Sequence, residues 1–491
     1  KYGVPTDRKL HTDWCEQPDW QPDEHGLVTN SDYFGGDLKG IEEKLEYLKS
    51  LGVTCLYLNP IFEAHANHRY NTADYSQIDP LLGTEDDFTY LCQTAESMGI
   101  HVLLDGVFSH TGSDSVYFNR EKRYPPNGAC DTQTSPYYSW YTFRQWPDSY
   151  DCWWTFSTLP NVNELNPQYN EYINGEQGII RKWLSAGASG WRLDVADELP
   201  DGFIDNLRAA AKAEKDDAVI LGEVWEDASN KTAYGIRRRY LLGKQFDSIM
   251  NYPFREAILG FMTGMKAADS MEMILDILEN YPPQVTRMLM NHIGTHDTVR
   301  ALTVTAGEPL RGNSRKWQSE TRLTEEQRAV GLSRMRMAAL MQYTLPGVPC
   351  IYYGDEAGME GYRDPFNRAC YPWGHEEQSL VEWYRMLGKL RGECSALKDG
   401  EFEPVYVDGC MAYLRKGEKD SLLCAFNPTD ERKSVCVPWE WHSAQQVTGP
   451  LPDECGNLWL QPRSCAALMR KTEQQPEAES EPAKCERKAE V

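Results

Sequence analysis

The chain has 491 residues, of which 41% are hydrophobic and 25% are charged, values typical of a globular protein large enough for more than one domain. Its formal net charge of −24 argues against nucleic acid as a partner, because phosphate binding needs a basic surface, and it suits a neutral substrate. No run of about 18 apolar residues occurs, so we predict neither a transmembrane helix nor a membrane partner.

Helical and strand-like patterns alternate through residues 37–395. Helical patterns lie at 37–51, 86–98, 170–186, 202–215 and 327–345. Strand-like runs lie at 53–58, 101–107, 189–193, 219–221, 246–250, 287–292 and 348–353. This alternation predicts βα units around a parallel sheet, and its length suits an α/β fold of the (β/α)8 TIM barrel type, although only seven strands can be counted.

The barrel pattern is interrupted once and is followed by a different pattern. We predict a first barrel part at residues 1–107, an inserted domain at 108–166, a second barrel part at 167–398, a C-terminal β-sandwich at 399–470 and a disordered tail at 471–491. The insert is rich in aromatic residues, which either fill a small core or stack on sugar faces. Short runs separated by turn signals indicate the sandwich, and the tail lacks an apolar pattern.

Three strand-like runs each end in a carboxylate, at Asp194, Glu223 and Asp297. A carboxylate at the end of a buried strand is costly unless it is paired or used, so three of them predict one catalytic site at the C-terminal rim of the barrel. Arg192 points the same way as Asp194 and would keep it ionised, as a nucleophile requires. Negative charge around Glu223 favours its protonated form, which suits a general acid.

Four segments in chain order resemble the motifs of the α-amylase family of glycoside hydrolases. They are Asp-Gly-Val-Phe-Ser-His at 105–110, Gly-Trp-Arg-Leu-Asp at 190–194, Gly-Glu-Val-Trp at 222–225 and Gly-Thr-His-Asp at 294–297. The resemblance extends over most of residues 32–375. Leu-Pro-Asn-Val-Asn at 159–163 is similar to the motif of the neopullulanase, maltogenic amylase and cyclomaltodextrinase branch, and residues 223–231 resemble amylopullulanase catalytic regions.

The resemblance implies a retaining double displacement. Asp194 would attack the anomeric carbon, Glu223 would protonate the leaving oxygen and then activate water, and Asp297 would bind sugar hydroxyls and favour a distorted ring. The resemblance also implies substrate-binding roles for Tyr70, Asp105, His110, Arg192, Trp225, His296, Asp364 and Arg368. Among these, Tyr70 would stack under the sugar at the cleavage site, Asp364 and Arg368 would hold the next sugar, and Trp225 would be a platform on the leaving-group side.

The sequence indicates metal binding and the cellular compartment less directly than the catalytic site. No cofactor is required by the chemistry, and Ser109 stands where many members of the family have an Asn that helps to bind calcium. Asp37, in Phe-Gly-Gly-Asp at 34–37, resembles part of a second calcium loop, so it is the one candidate metal ligand. The 14 cysteines have no regular spacing, which favours a reduced bacterial cytoplasmic protein, with secretion as the alternative.

The resemblance also implies that the first strand of the barrel is absent from this sequence. Relatives begin with a strand that ends in a Pro-Asp-Arg-Phe-like segment, which this sequence lacks, so the run at 53–58 corresponds to the second barrel strand and the insert follows the third. We therefore expect the first strand to be missing and the chain to be a fragment of a longer enzyme. A homodimer is expected only if an upstream domain exists.

The main interpretation is a retaining α-glucan hydrolase that cleaves α-1,4 and also α-1,6 glucosidic bonds in starch, pullulan, cyclodextrins or maltooligosaccharides. The alternatives are a transglycosylase of the same family and a truncated, inactive fragment of such an enzyme. A non-enzymatic barrel subunit resembling the amino-acid transporter heavy chains is disfavoured, because such proteins lose the catalytic carboxylates and carry a membrane anchor.

Overall fold

A computed structural model describes residues 8–471 and places seven parallel strands in a barrel-like arrangement. The strands are β1 (Cys55–Leu58), β2 (His101–Gly106), β3 (Gly190–Leu193), β4 (Val219–Gly222), β5 (Ser248–Ile249), β6 (Met290–His292) and β7 (Val348–Cys350). Strands β1 to β5 form one sheet in chain order, a parallel bridge between Met250 and Met290 joins β5 to β6, and β6 pairs with β7. All seven predicted strands are confirmed, with ends that shift by a few residues.

Helices separate these strands, as the alternating pattern predicts. The α-helices are Leu38–Glu43, Leu45–Ser50, Glu85–Ser97, Pro167–Asn174, Ile179–Ser185, Asp201–Glu214, Tyr252–Thr263, Ala267–Asn280, Pro283–Thr286, Ala301–Ala306, Arg315–Glu320, Glu325–Thr344, Gln378–Glu393 and Ala396–Asp399. Two predicted helices are each broken in two. The first breaks at Lys44, and the second breaks where Gly175 caps one helix and Gly178 begins the next.

Aromatic residues of the insert between β2 and β3 pack into the same core as the barrel. Trp140, Tyr141 and Tyr117 are buried, whereas Trp154 is exposed. Its regular structure is limited to the strand pair Phe143–Gln145 and Ser149–Tyr150 and the 3-10 turns Tyr138–Trp140 and Trp153–Thr155. Further short strand pairs elsewhere are Lys9–Leu10 with Asp32–Tyr33, Phe62–Ala64 with Thr72–Ile78, and Thr232–Ala233 with Ile236–Arg237.

The C-terminal part is a β-domain with two sheets. Its strands Glu401–Asp408, Cys410–Lys416, Asp420–Asn427, Ser464–Lys471 and Gln445–Thr448 form one sheet in that order, and Lys433–Cys436 pairs with Asn457–Leu460. Alternate residues of the central strands face opposite ways: Ala412 and Leu414 pack toward the small sheet, whereas Met411 and Tyr413 join the barrel core. The Tyr413 hydroxyl lies 2.6 Å from Oγ1 of Thr344, which fixes this sheet against the barrel.

Of the predicted tail, only Lys471 belongs to the described residues, where it ends a strand; residues 472–491 lie outside them. No helix within residues 8–471 combines the length and apolar character needed to cross a membrane.

Candidate active site

Parallel neighbouring strands bring the predicted catalytic residues to one edge of the sheet. Asp105 of β2 is in register with Arg192 of β3, and Arg192 is in register with Leu221 of β4. Asp194 follows the end of β3, and Glu223 follows the end of β4. The carboxyl ends of these strands therefore place the side chains beside one another, as the barrel model requires.

Arg192 is the centre of the site. Its guanidinium is fully buried, and Nη1 lies 2.9 Å from both oxygens of Asp105 and 2.9 Å from Oδ1 of Asp194. Its other amino group, Nη2, lies 2.8 Å from Oε2 of Glu223. Tyr57 also donates a hydrogen bond of 2.6 Å to Asp105 from below. One cation is thus shared by three buried carboxylates.

Burial controls the protonation of this cluster. Burial raises the pKa of Asp194 well above its usual range, Arg192 opposes that shift, and the negative charge of Glu223 adds to it. Burial likewise raises the pKa of Asp105, against the opposing effect of Arg192. Arg192 therefore acts on Asp194 in the direction that the sequence predicts, against the effect of burial, and the ionised state of Asp194 stays a prediction.

Glu223 is oriented by two N–H groups. The backbone N–H of Val195 donates to Oε2 at 2.9 Å, and Nε1 of Trp225 donates to Oε1 at 3.0 Å. Val195 has a φ of 41°, which is a rare left-handed conformation for a β-branched residue. The Trp225 ring stacks on Tyr252 with 4.0 Å between ring centroids. Glu223 is therefore held in one orientation toward the cavity.

Asp297 and its neighbours form the opposite wall. Nε2 of His296 lies 3.1 Å from Asp297 and 2.7 Å from the hydroxyl of Tyr70, which in turn donates to Asp105 at 2.9 Å. Burial lowers the pKa of His296 well below its usual range, so the ring is neutral. Burial also raises the pKa of Asp297, against the opposing charges of Arg368 and Arg192.

Asp364, Arg368 and His110 complete the predicted set. Arg368 lies 3.3 Å from Asp364 and 3.6 Å from Asp297, and its Nε donates to the His296 carbonyl at 2.9 Å. His110 donates from Nε2 to the Tyr70 carbonyl at 3.0 Å, and its Nδ1 lies 3.0 Å from the Ser109 hydroxyl. Both ring nitrogens of His110 are thus engaged within the protein, and its contact with sugar hydroxyls stays a prediction.

These side chains surround a cavity of about 870 Å³. Of the predicted residues, Asp194, Glu223, Asp297, Tyr70, His110, Trp225, His296, Asp364 and Arg368 line it, whereas Asp105 and Arg192 do not. Sequence reasoning missed three residues that shape the site, namely Tyr57, Val195 and Tyr252. Of these three, only Tyr57 could have been proposed from the sequence, because it stands near the end of a predicted barrel strand.

Metal ligation has weak support from the described side chains. Asp37 caps the helix Leu38–Glu43 by accepting from the Gly40 N–H at 2.7 Å, and its role in calcium binding stays a prediction. One donor of each of His11, Asp19 and Asp32 lies within 4.8 Å of the others. This cluster is already satisfied by protein partners, because Lys9 pairs with Asp19 at 2.6 Å and Asn67 donates to Asp32 at 2.9 Å.

The fold and this site together define a class of protein. A β/α barrel whose strand ends present a nucleophile-like aspartate and an oriented glutamate on one cavity is the equipment of a glycoside hydrolase. The family model of the alpha-amylase catalytic domain matches residues 16–386. The chain therefore belongs to the α-amylase family.

Similarity to individual proteins agrees with this assignment. The chain is 38% identical over 442 residues to an amylopullulanase of Thermoanaerobacter thermohydrosulfuricus, which covers 82% of this chain and 29% of that protein. It is 35% identical to a cyclomaltodextrinase of Thermoanaerobacter pseudethanolicus, over 93% of this chain and 73% of that protein. The cyclic alpha-maltosyl-(1→6)-maltose hydrolase of Arthrobacter globiformis superposes with a TM-score of 0.77 at 27% identity, over 95% of this chain and 94% of that one.

The match to longer relatives is partial. The chain spans 25% to 36% of the length of three amylopullulanases to which it is similar.

Proposed function

We propose that this chain carries the catalytic machinery of a retaining α-glucan hydrolase that cleaves α-1,4 and also α-1,6 glucosidic bonds in starch, pullulan, cyclodextrins or maltooligosaccharides. The observation that carries the proposal is the position of Arg192, whose two amino groups lie 2.9 Å from Asp194 and 2.8 Å from Glu223. This arrangement holds a nucleophile and a proton donor side by side on one wall of the cavity. The names of the relatives support α-glucans as the substrate class.

The reaction follows from the orientation of the two carboxylates. A carboxylate oxygen of Asp194 bonds to the anomeric carbon while the bond to the leaving oxygen breaks, and Glu223 gives its proton to that oxygen. Glu223, now ionised, then takes a proton from water as the water oxygen attacks the anomeric carbon and releases Asp194. The configuration at the anomeric carbon is inverted twice and is thus retained.

The remaining residues hold the sugar in place. Asp297 accepts hydrogen bonds from sugar hydroxyls, and neutral His296 is a donor or acceptor beside it. The Tyr70 ring is fixed by bonds from its hydroxyl to Asp105 and His296, so it presents a rigid face under the reacting sugar. Arg368 fixes the position of Asp364 for the neighbouring sugar.

The test is product analysis with the full chain and with Asp194→Asn, which is close in size but cannot act as a nucleophile. Starch, pullulan and cyclodextrins are the substrates, and proton NMR of the first products reports the anomer that is released. We expect α-anomers from the wild type and a loss of turnover of at least about a thousandfold in the variant. Wild-type turnover in Asp194→Asn would refute the mechanism, and longer products in place of free sugars would assign a transglycosylase.

We also propose that the strand that would close the barrel between β1 and β7 is missing from residues 8–471. This is supported by the sheet order, in which β1 and β7 each pair with a neighbouring strand on one side only. An unpaired strand edge leaves backbone N–H and C=O groups without strand partners. Hydrogen exchange of the backbone N–H groups tests this, because unpaired strand edges exchange faster than paired ones. We expect faster exchange in β1 and β7 than in β3 and β4, and equal protection of the four strands would contradict the proposal.

Calcium binding by Asp37 is a separate proposal that rests on the Phe-Gly-Gly-Asp segment. Removal of calcium with a chelator would then lower the thermal midpoint of the wild type, whereas Asp37→Asn would be insensitive. An equal response of both proteins would contradict it.

A further inference from the structure

A row of three aromatic rings, those of His110, Trp153 and Trp154, lies along the cavity. The ring of His110 lies 5.7 Å from that of Trp153, and Trp153 stacks on Trp154 at 5.5 Å with 29° between the ring planes. Both indoles line the cavity, and Trp154 is 71% exposed. An indole in this position offers a wide, flat apolar face to whatever occupies the mouth.

The backbone that presents Trp154 is strained. Trp154 has a φ of 45° and Thr155 a φ of 68°, so two consecutive residues with side chains adopt the left-handed conformation. Such conformations persist only where the surrounding structure enforces them, and they concentrate at binding and catalytic sites. The insert therefore gives up local stability and turns Trp154 outward.

A second exposed ring lies on a different segment that also lines the cavity. Tyr234 occupies the tip of the hairpin formed by Thr232–Ala233 and Ile236–Arg237 and is 73% exposed, and it also lines the cavity. The hairpin is fixed against the segment that follows Asp194, because Lys231 pairs with Asp197 at 2.9 Å. Tyr234 is thus presented by an anchored element.

Glu198 links the two rings. Nε1 of Trp154 donates to Oε1 of Glu198 at 3.4 Å. Burial and a hydrogen bond to Glu198 raise the pKa of Tyr234 to about 12, so its hydroxyl stays protonated. Glu198 stands four residues after Asp194 and lines the same cavity, which ties the rim to the segment that carries the nucleophile.

We propose that Trp154 and Tyr234, joined by Glu198, form an aromatic clamp for the part of an α-glucan that extends beyond the sugar at the carboxylates. The clamp makes the enzyme select substrates by length, since only a chain that reaches the rim gains the stacking contacts. The inference rests on the proposed function, because it assumes a glucan in the cavity. It goes further by assigning a specificity role to residues outside the catalytic set.

The test compares the kcat/KM for maltoheptaose with that for p-nitrophenyl α-maltoside, which is too short to extend far from the carboxylates. We expect Trp154→Ala and Tyr234→Ala each to lower the ratio of the two constants about tenfold through KM, a loss equivalent to about 1.4 kcal/mol. Trp154→Phe keeps a ring and is expected to restore most of the ratio. Trp439→Ala removes a tryptophan that is 72% exposed in the C-terminal domain, and the ratio should not change.

Each outcome decides between the two proposals. An active wild type whose ratio is unchanged within twofold by Trp154→Ala and Tyr234→Ala overturns the clamp and leaves the proposed function intact. A wild type that cleaves none of the glucans overturns the proposed function, and calorimetric titration with maltoheptaose then decides the clamp. Binding about tenfold weaker in Trp154→Ala supports it, whereas equal binding or none overturns it. Thermal unfolding of each variant verifies that it is folded.

Discussion

Asp105→Asn removes one negative charge from the buried cluster around Arg192 without a large change in shape. Asp105 and Asp194 both lie 2.9 Å from the same guanidinium nitrogen, so their nearest oxygens are close together. At a separation of about 6 Å and an effective dielectric constant of about 20, two carboxylates repel each other by about 3 kcal/mol, or about two pH units. Burial also raises the pKa of Asp105 itself, against the opposing charge of Arg192, so we expect the pH profile to shift by less than this, about one pH unit.

The sign of the shift follows from the causes of the raised pKa of Asp194. The negative charge of Asp105 raises the pKa of Asp194, whereas the positive charge of Arg192 lowers it. Asp105→Asn removes the negative charge, and it also removes a carboxylate that competes with Asp194 for Arg192. Since the acidic limb of kcat/KM reports the ionisation of the nucleophile, that limb should move to lower pH.

The assay is kcat/KM from pH 3 to 8 for the wild type and Asp105→Asn, with urea unfolding in parallel. The Asn also leaves the Tyr57 and Tyr70 hydroxyls with a weaker acceptor, so the free energy of unfolding should fall by about 1–3 kcal/mol. Tyr57→Phe is the matched control, because it removes one of these hydrogen bonds and keeps the charge. An acidic limb that stays in place or moves to higher pH in Asp105→Asn would refute the reasoning.

Two further substitutions test the scaffold that holds the site. Gly190→Ala places a Cβ 2.1 Å from the carbonyl oxygen of Val219 in the neighbouring strand, so the free energy of unfolding in urea should fall by about 3 kcal/mol. The control is Gly36→Ala, whose Cβ meets nothing within 4 Å and should be tolerated. Equal effects of the two substitutions would contradict this prediction. Arg415→Leu removes the 2.7 Å hydrogen bond to the Thr344 carbonyl, which joins the C-terminal sheet to the barrel. The free energy of unfolding in urea should fall by about 1–3 kcal/mol. An unchanged unfolding midpoint would rule this contact out as a source of stability.

The catalytic constellation could be predicted from sequence because it depends on strand ends and on residues two apart. Asp194 and Arg192 share a strand face by simple alternation, and parallel strands bring Glu223 alongside. The orientation of Glu223 could not be predicted, because it depends on Val195, whose left-handed backbone contradicts the preference of a β-branched residue. Tyr252 could not be predicted either, because its contact with Trp225 depends on where the helix Tyr252–Thr263 lies in the fold.

Burial was the main quantity that the sequence could not supply. The ionisation of Asp194 depends on a balance between burial and the positive charge of Arg192, which three carboxylates share. In the C-terminal domain, the sequence does not reveal the short strands Gln445–Thr448 and Asn457–Leu460, because their polar and apolar residues give no clear run. Helix breaks at Lys44 and at Gly175 likewise depend on local turns that the helical periodicity does not reveal.

The excess of carboxylates over cations around Arg192 also determines which ligands the cavity accepts. A sugar acid would bring a further negative charge to a site where three carboxylates already share Arg192, so uronic acids should bind more weakly than neutral sugars of the same shape. A basic sugar analogue would instead supply the missing cation, and its binding should be accompanied by release of a proton from the cluster to solvent. We therefore expect this site to admit neutral sugars, to disfavour anionic ones and to retain cationic ones.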